Sequence, residues 1–530
     1  MSDVMPQATG SNPDHYLISA SGLLGEPPQS AITEVARIVA KASAAAPENG
    51  LVIHMHGGLV NRPYALKNIV APLTDIYLSA KAYPLFFVWE SGFFETLGNN
   101  KTELLNDPAF RELVKKVSEW ALKKVSVSGA FSFKGTGNNE IEDIHEFRNE
   151  FDKFFDEKRE TPPSETTNVP IGENTQTKTK AKALDEDSLA QEIQGTLDND
   201  PDFKKALAEA YNASIPASEL TTKGVGAKTK SSKLLLDPGV LDEMFPPEDE
   251  ALAEPGQQVK SRGVLSWLGV ARYVARIVIA VVKRYADGRD HGMYCTVVEE
   301  VLRSAYGNVI GAIIWNKMKG DTLDSFGVGE NRCGYAVISE LKKLEQQGKG
   351  ITRLTLVGHS TGAIYICNFL DEAKTQGLAA DIRVVFLAPA ITYDRFADAI
   401  TEHGATKLKN FRMFAMTDQR ESADRMLNPL YTRSLLYFVS GLLEGQPSGH
   451  GWESILDMPV VGMQRFYESG AFTQDSKVKT VSDFLKAAPN RTVWSRAAGK
   501  ERGLNCDAQK HGDFDNDKTT LESIVAFIDG

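Results

Sequence analysis

Residues 355–370 read TLVGHSTGAIYICNFL: an apolar β-branched run, a short polar turn, then apolar residues at helical spacing. Within it Gly358-His359-Ser360-Thr361-Gly362 fits G-x-S-x-G in the strand-to-helix context that this pattern requires. The reason is steric. A serine raised on so tight a turn has a strained backbone, side chains at the flanking positions would clash, and glycine at both ends relieves the clash. The turn exposes the serine hydroxyl, and the Thr361 amide at the helix start is aimed at a developing oxyanion. The bare pattern is weak, since a chain of this length and composition meets it by accident in roughly a fifth to a third of cases. Its strand and helix, together with a glycine-rich turn earlier in the chain, make Ser360 the candidate nucleophile.

Working outward, the same alternation recurs on both sides. Strand signals at 16–20, 51–55 and 85–89 enclose helical patterns at 31–44 and 64–80. After the serine, strands at 383–388, 411–416 and 492–495 alternate with helices at 363–375 and 396–402, and a helix at 520–528 ends the chain. Such repetition predicts an α/β fold with a mostly parallel central sheet flanked by helices. Residues 1–96 and 321–530 would form this core, with a small helical insertion near 425–485. Residues 97–320 would be a large insertion or cap. Its stretch 157–263, rich in Thr, Lys, Pro, Asp and Glu, is too poor in apolar residues to offset its ordering entropy, so it is expected to be mobile and partly disordered, with a few short helices. Two apolar helical patterns follow, at 264–285 and 296–318.

Bulk composition bounds the function. Of the 530 residues 42% are hydrophobic and 24% charged, as in an ordinary globular protein. A net charge of -11 argues against nucleic acid as a partner. The four cysteines lie far apart without a CxxC pair, so neither a zinc site nor a disulfide framework is indicated. No basic segment followed by an apolar run opens the chain, and Arg272, Arg276, Lys283 and Arg284 interrupt the most apolar helix. A cytoplasmic protein without a transmembrane segment is the expectation.

The earlier turn is His56-Gly57-Gly58, directly after strand 51–55. With the Ser360 turn it resembles the α/β-hydrolase superfamily of serine esterases and lipases, over roughly residues 50–95 and 333–530. The resemblance implies a second oxyanion donor at Gly58 or Leu59, and a chain order of serine, acid, histidine. His511, in a loop before the final helix, is then the base, and Asp418, following strand 411–416, the acid, with Asp394 and Asp424 as alternatives. It further implies acyl transfer on a small or lipid-like ester without metal or organic cofactor. Other readings stay open for these residues. The glycines could serve only a tight turn, and His54 and His56 could be spaced as metal ligands. Asp513, Asp515 and Asp517 read as helix-entry charges rather than a calcium loop, and Thr519 to Glu522 as a capping box. A peptidase, a thioesterase or a non-catalytic binding module could use the same scaffold.

Overall fold

The structure, a computed structural model, describes residues 11–45, 47–58, 60–90, 100–125, 133–134, 140–141, 144–157, 159, 161–163, 184–214, 235–245, 267–306, 312–444, 457–468 and 475–530. Seven strands build one parallel sheet: β1 (Tyr16–Ala20), β2 (Leu51–Met55), β3 (Tyr83–Glu90), β4 (Arg353–His359), β5 (Asp381–Leu387), β6 (Asn410–Met416) and β7 (Thr492–Ser495). Their spatial order is β1-β3-β2-β4-β5-β6-β7. Every strand read from the sequence is present.

The inner strands are buried on both faces, which is why they read as nearly continuous apolar runs. Leu51, Ile53, Leu85, Phe87, Leu356 and Phe386 face one apolar layer. Val52, Phe86, Val88, Val357, Val385 and Phe414, displaced by one residue, face the other. The helices Ile32–Ala45, Cys333–Gln346 and Gly362–Thr375 cover the first face; Ala71–Ser79 and the terminal helix Lys518–Asp529 cover the second. The chain leaves β2 for β3 on one side and later returns to β4 on the other. The loops after β2 and β4 therefore diverge from a switch point, where an open parallel sheet forms a crevice at its carboxyl edge.

The insertion is more ordered than its composition suggests. Much of 157–263 lies outside the described residues, but Glu186–Leu197 and Pro201–Ser214 are helices with buried Leu189, Ile193, Phe203 and Leu207. They belong to a bundle in which helix Trp267–Ala286 packs against Glu186–Leu197, Pro108–Val125, Pro238–Met244 and Met293–Ala305. Three of the four charges that interrupt this apolar helix, Arg272, Arg276 and Arg284, are answered from its neighbours. Arg272 pairs with Asp187 and Arg276 with Glu186. No helix among the described residues is long and apolar enough to cross a membrane.

A buried polar network joins this bundle to the C-terminal half. The fully buried His291 lies 2.7 Å from Glu299 Oε1 through Nδ1 and 2.7 Å from Asp457 Oδ1 through Nε2. Each ring nitrogen thus faces a carboxylate acceptor. Arg284 Nη1 lies 2.6 Å from Glu299 Oε2 and 2.9 Å from Glu300 Oε1, while Arg465 Nη2 lies 3.5 Å from Asp457 Oδ2. Burial alone would raise the Glu299 carboxyl. The charges of His291 and Arg284 outweigh it and hold the group at about 2.

Candidate active site

Pairing of β2 with β4 sets Met55 opposite Gly358, so the His56-Gly57-Gly58 turn runs beside the turn that carries Ser360. Ser360 has φ 55°, the left-handed region that an L residue adopts only under constraint. The constraint is visible. The Ser360 amide donates to the Leu387 carbonyl at 2.8 Å, and its carbonyl accepts from the Ala390 amide at 3.1 Å. Both bonds tie the turn to the end of β5. The flanking glycines are required by close approach: a Cβ on Gly362 would lie 2.2 Å from the Met55 carbonyl oxygen, and one on Gly358 2.6 Å from the Gly362 carbonyl oxygen. Thr361 then stands at the start of the helix Gly362–Thr375, without a side-chain capping bond.

Ser360 and His511 line one cleft of about 590 Å³ at this edge. Val60, Ile69, Met426 and Leu435 give it apolar wall, and the loop around His511 gives it polar wall. His511 is 7% exposed, and neither ring nitrogen has a hydrogen-bond partner among the described residues. Both nitrogens are buried as well as unpartnered, an arrangement rare enough in a folded protein to call for a functional account. Burial pushes its basicity well below the ordinary histidine value, the neighbouring positive charge of His359 pushes further, and Asp515 opposes both.

The expected acid is elsewhere. Asp418 opens a short helix after β6, its Oδ1 accepts from Tyr437 Oη at 2.8 Å, its amide donates to Gln464 Oε1 at 2.9 Å, and it is not among the residues lining the cleft. Tyr437 lies on the small helical insertion, which the sequence places near Asp418 without revealing which side chain reaches it. Asp394 is exposed on helix Tyr393–His403. Asp424 lines the cleft, and its Oδ2 accepts from the His511 backbone amide at 2.8 Å. It therefore holds His511 by its main chain rather than by its ring. Asp418→Asn is accordingly expected to leave turnover within a few-fold of wild type. A drop of about 10⁴, the cost of losing a triad aspartate, would return the role to Asp418.

The oxyanion turn carries one surprise. The Gly58 amide donates to Thr361 Oγ1 at 2.6 Å, so this expected donor is already engaged, and a Cβ on Gly58 would meet Met318 Sδ at 2.2 Å. Met318 comes from the insertion helix Ala312–Asp324, which thereby packs over the turn. Leu59, the alternative donor, lies outside the described residues. His54 and His56 are taken up by the sheet: His54 Nδ1 lies 2.9 Å from Tyr77 Oη, and His56 stacks on Trp89 with ring centroids 5.8 Å apart. Burial depresses both, to about 3 and about 4, so both are neutral. Among the described residues no cluster of three or more metal-ligating side chains is arranged to hold an ion.

The aspartates after His511 serve three different ends. Asp517, not Thr519, is the N-cap of the terminal helix, its Oδ2 accepting from the Thr520 amide at 2.7 Å. Asp513 accepts from the amides of Gln509 and Lys510 and fixes the loop. Asp515 is no helix-entry charge; its Oδ2 lies 3.3 Å from Nδ1 of His359. His359, within the Ser360 turn, lines the cleft beside the serine. The only advance signal for the pair was an aspartate four residues beyond the candidate base.

No protein-family model, curated protein or solved structure matches the chain.

Proposed function

We propose that the chain is a serine hydrolase of the α/β-hydrolase type that cleaves a carboxylic ester through an acyl-enzyme. The observation that carries this reading is a serine at φ 55° between a strand and a helix, sharing its cleft with a buried histidine whose ring nitrogens are unpartnered. Strain of this kind persists only where the surroundings enforce it, and it concentrates at functional sites.

In this reading His511 takes the proton from Ser360 Oγ as the oxygen bonds to the ester carbonyl carbon. The Thr361 amide, at the positive end of its helix, receives the oxyanion. A turn of the Thr361 side chain releases the Gly58 amide as a second donor. Collapse of the tetrahedral species breaks the ester C–O bond, and His511 returns its proton to the departing alcohol oxygen. Water then repeats the sequence and frees the acid. The apolar wall formed by Val60, Ile69, Met426 and Leu435 suits an uncharged acyl or alkyl chain.

A fluorophosphonate probe tests the assignment, because it phosphonylates only a serine that is activated. The wild-type chain is expected to be labelled and Ser360→Ala to remain unlabelled. A folded wild type that resists the probe would instead support a binding module built on the same scaffold.

A further inference from the structure

His511 has no carboxylate on its ring, yet it is held on three sides, and His359 supplies two of them. His359 ends β4, one residue before the strained serine, and is 5% exposed. Its Nε2 lies 2.9 Å from the His511 carbonyl oxygen. That oxygen only accepts, so Nε2 carries a proton. Its Nδ1 lies 3.3 Å from Asp515 Oδ2, within ion-pair distance although not aligned as a hydrogen bond. The nearby carboxylate favours the charged form of the ring. The ring stacks on that of His511, with centroids 5.3 Å apart and planes 28° from parallel. The third hold is Asp424, on the His511 amide.

Resting on the assignment of Ser360 and His511 above, we propose that His359, anchored by Asp515, is the positioning residue that keeps the His511 imidazole in place and uncharged. It takes over the orienting task that a triad gives to a carboxylate on the histidine ring. With the amide pinned by Asp424 and the carbonyl by His359, both peptide groups of His511 are fixed. The stacked face of its ring then leaves little freedom of orientation.

The electrostatics point the same way. Burial lowers His359, but the charge and contact of Asp515 more than restore it, so it holds its proton. Asp515 is raised by burial and lowered overall by the charge of His359. A second charged ring against the face of the first is disfavoured, so His511 stays neutral. The groups around His511 are Lys510, Asp513 and Asp515 on its own loop, His359 at the end of β4, and Asp424 and Arg425 after β6. Of these His359 is the one in ring contact. The base is thus available at a pH where an ordinary histidine, titrating near about 6.5, would be protonated.

The experiment measures the rate of fluorophosphonate labelling against pH, from about 4 to about 9, for the full wild-type chain and for His359→Gln. In wild type the acid limb should fall at least about one pH unit below the ordinary histidine value. In His359→Gln it should move up, so that near about pH 5.5 labelling slows by roughly tenfold or more relative to its own plateau. A merely structural contact would lower the plateau without moving the limb. A folded His359→Gln whose limb coincides with that of wild type overturns the role. Should the variant fail to fold, His359→Phe, which keeps a ring in the stack without its charge, is the second test: its limb should also move up, and a folded His359→Phe whose limb coincides with that of wild type overturns the role. Absence of wild-type labelling at every pH removes the hydrolase reading itself, whereas labelling with an unmoved limb removes the His359 role alone.

Discussion

Ser360→Ala and His511→Ala are each expected to lower ester hydrolysis by about 10⁴- to 10⁶-fold, and the double variant by little more than either alone. In the proposed mechanism the hydroxyl and the imidazole act as one unit. A serine without a base stays protonated, and a base without the hydroxyl has only water to activate. What survives in all three chains is the contribution of the Thr361 amide and of substrate binding, which none of the substitutions removes. Initial rates on a chromogenic ester, with protein purified from a strain free of contaminating esterases, measure this directly. Losses that multiply in the double variant would mean that Ser360 and His511 act independently, and the shared mechanism would fall.

The second large effect concerns stability. Asp457→Asn is expected to destabilise the fold by about 3–5 kcal/mol, because it leaves the buried His291 ring and Arg465 cation without their shared counter-charge. The urea midpoint of unfolding reads it, and a loss below about 1 kcal/mol would show that the network relaxes around the missing charge. The same cluster fixes an acid dependence. The carboxyl of Glu299 is held at about 2 against an ordinary 4.5, so the folded state binds fewer protons than the unfolded state across that window. Its contribution is complete above the upper value and disappears as the pH falls through the lower one.

How much could be read in advance depended on range. The strands and the Ser360 turn are short-range features. Their apolar runs and the Gly358 and Gly362 flanks are written within a few residues of one another, and the backbone obeys them. The helix cap is Asp517 rather than Thr519, two residues earlier, because three aspartates and two threonines compete for it within eight positions. The helices of 184–214 hid in polar composition, since only one face of each is apolar and the outer faces are charged. The sequence offers Asp394, Asp418 and Asp424 as the acid, and none of them reaches the His511 ring. Which carboxylate after β6 approaches His511 is decided by Tyr437, which takes Asp418, and so by tertiary contacts that no local pattern encodes. The pairing of His359 with Asp515 joins residues 156 positions apart and is invisible until two loops meet.

The helical segment between the two halves of the sheet cannot be treated as a removable accessory. Met318 fills the space above Gly58, and Trp315 Nε1 donates to Glu444 at 2.8 Å. Excising the segment to obtain a minimal enzyme would uncover the turn beside the serine and strand charges in an apolar interior.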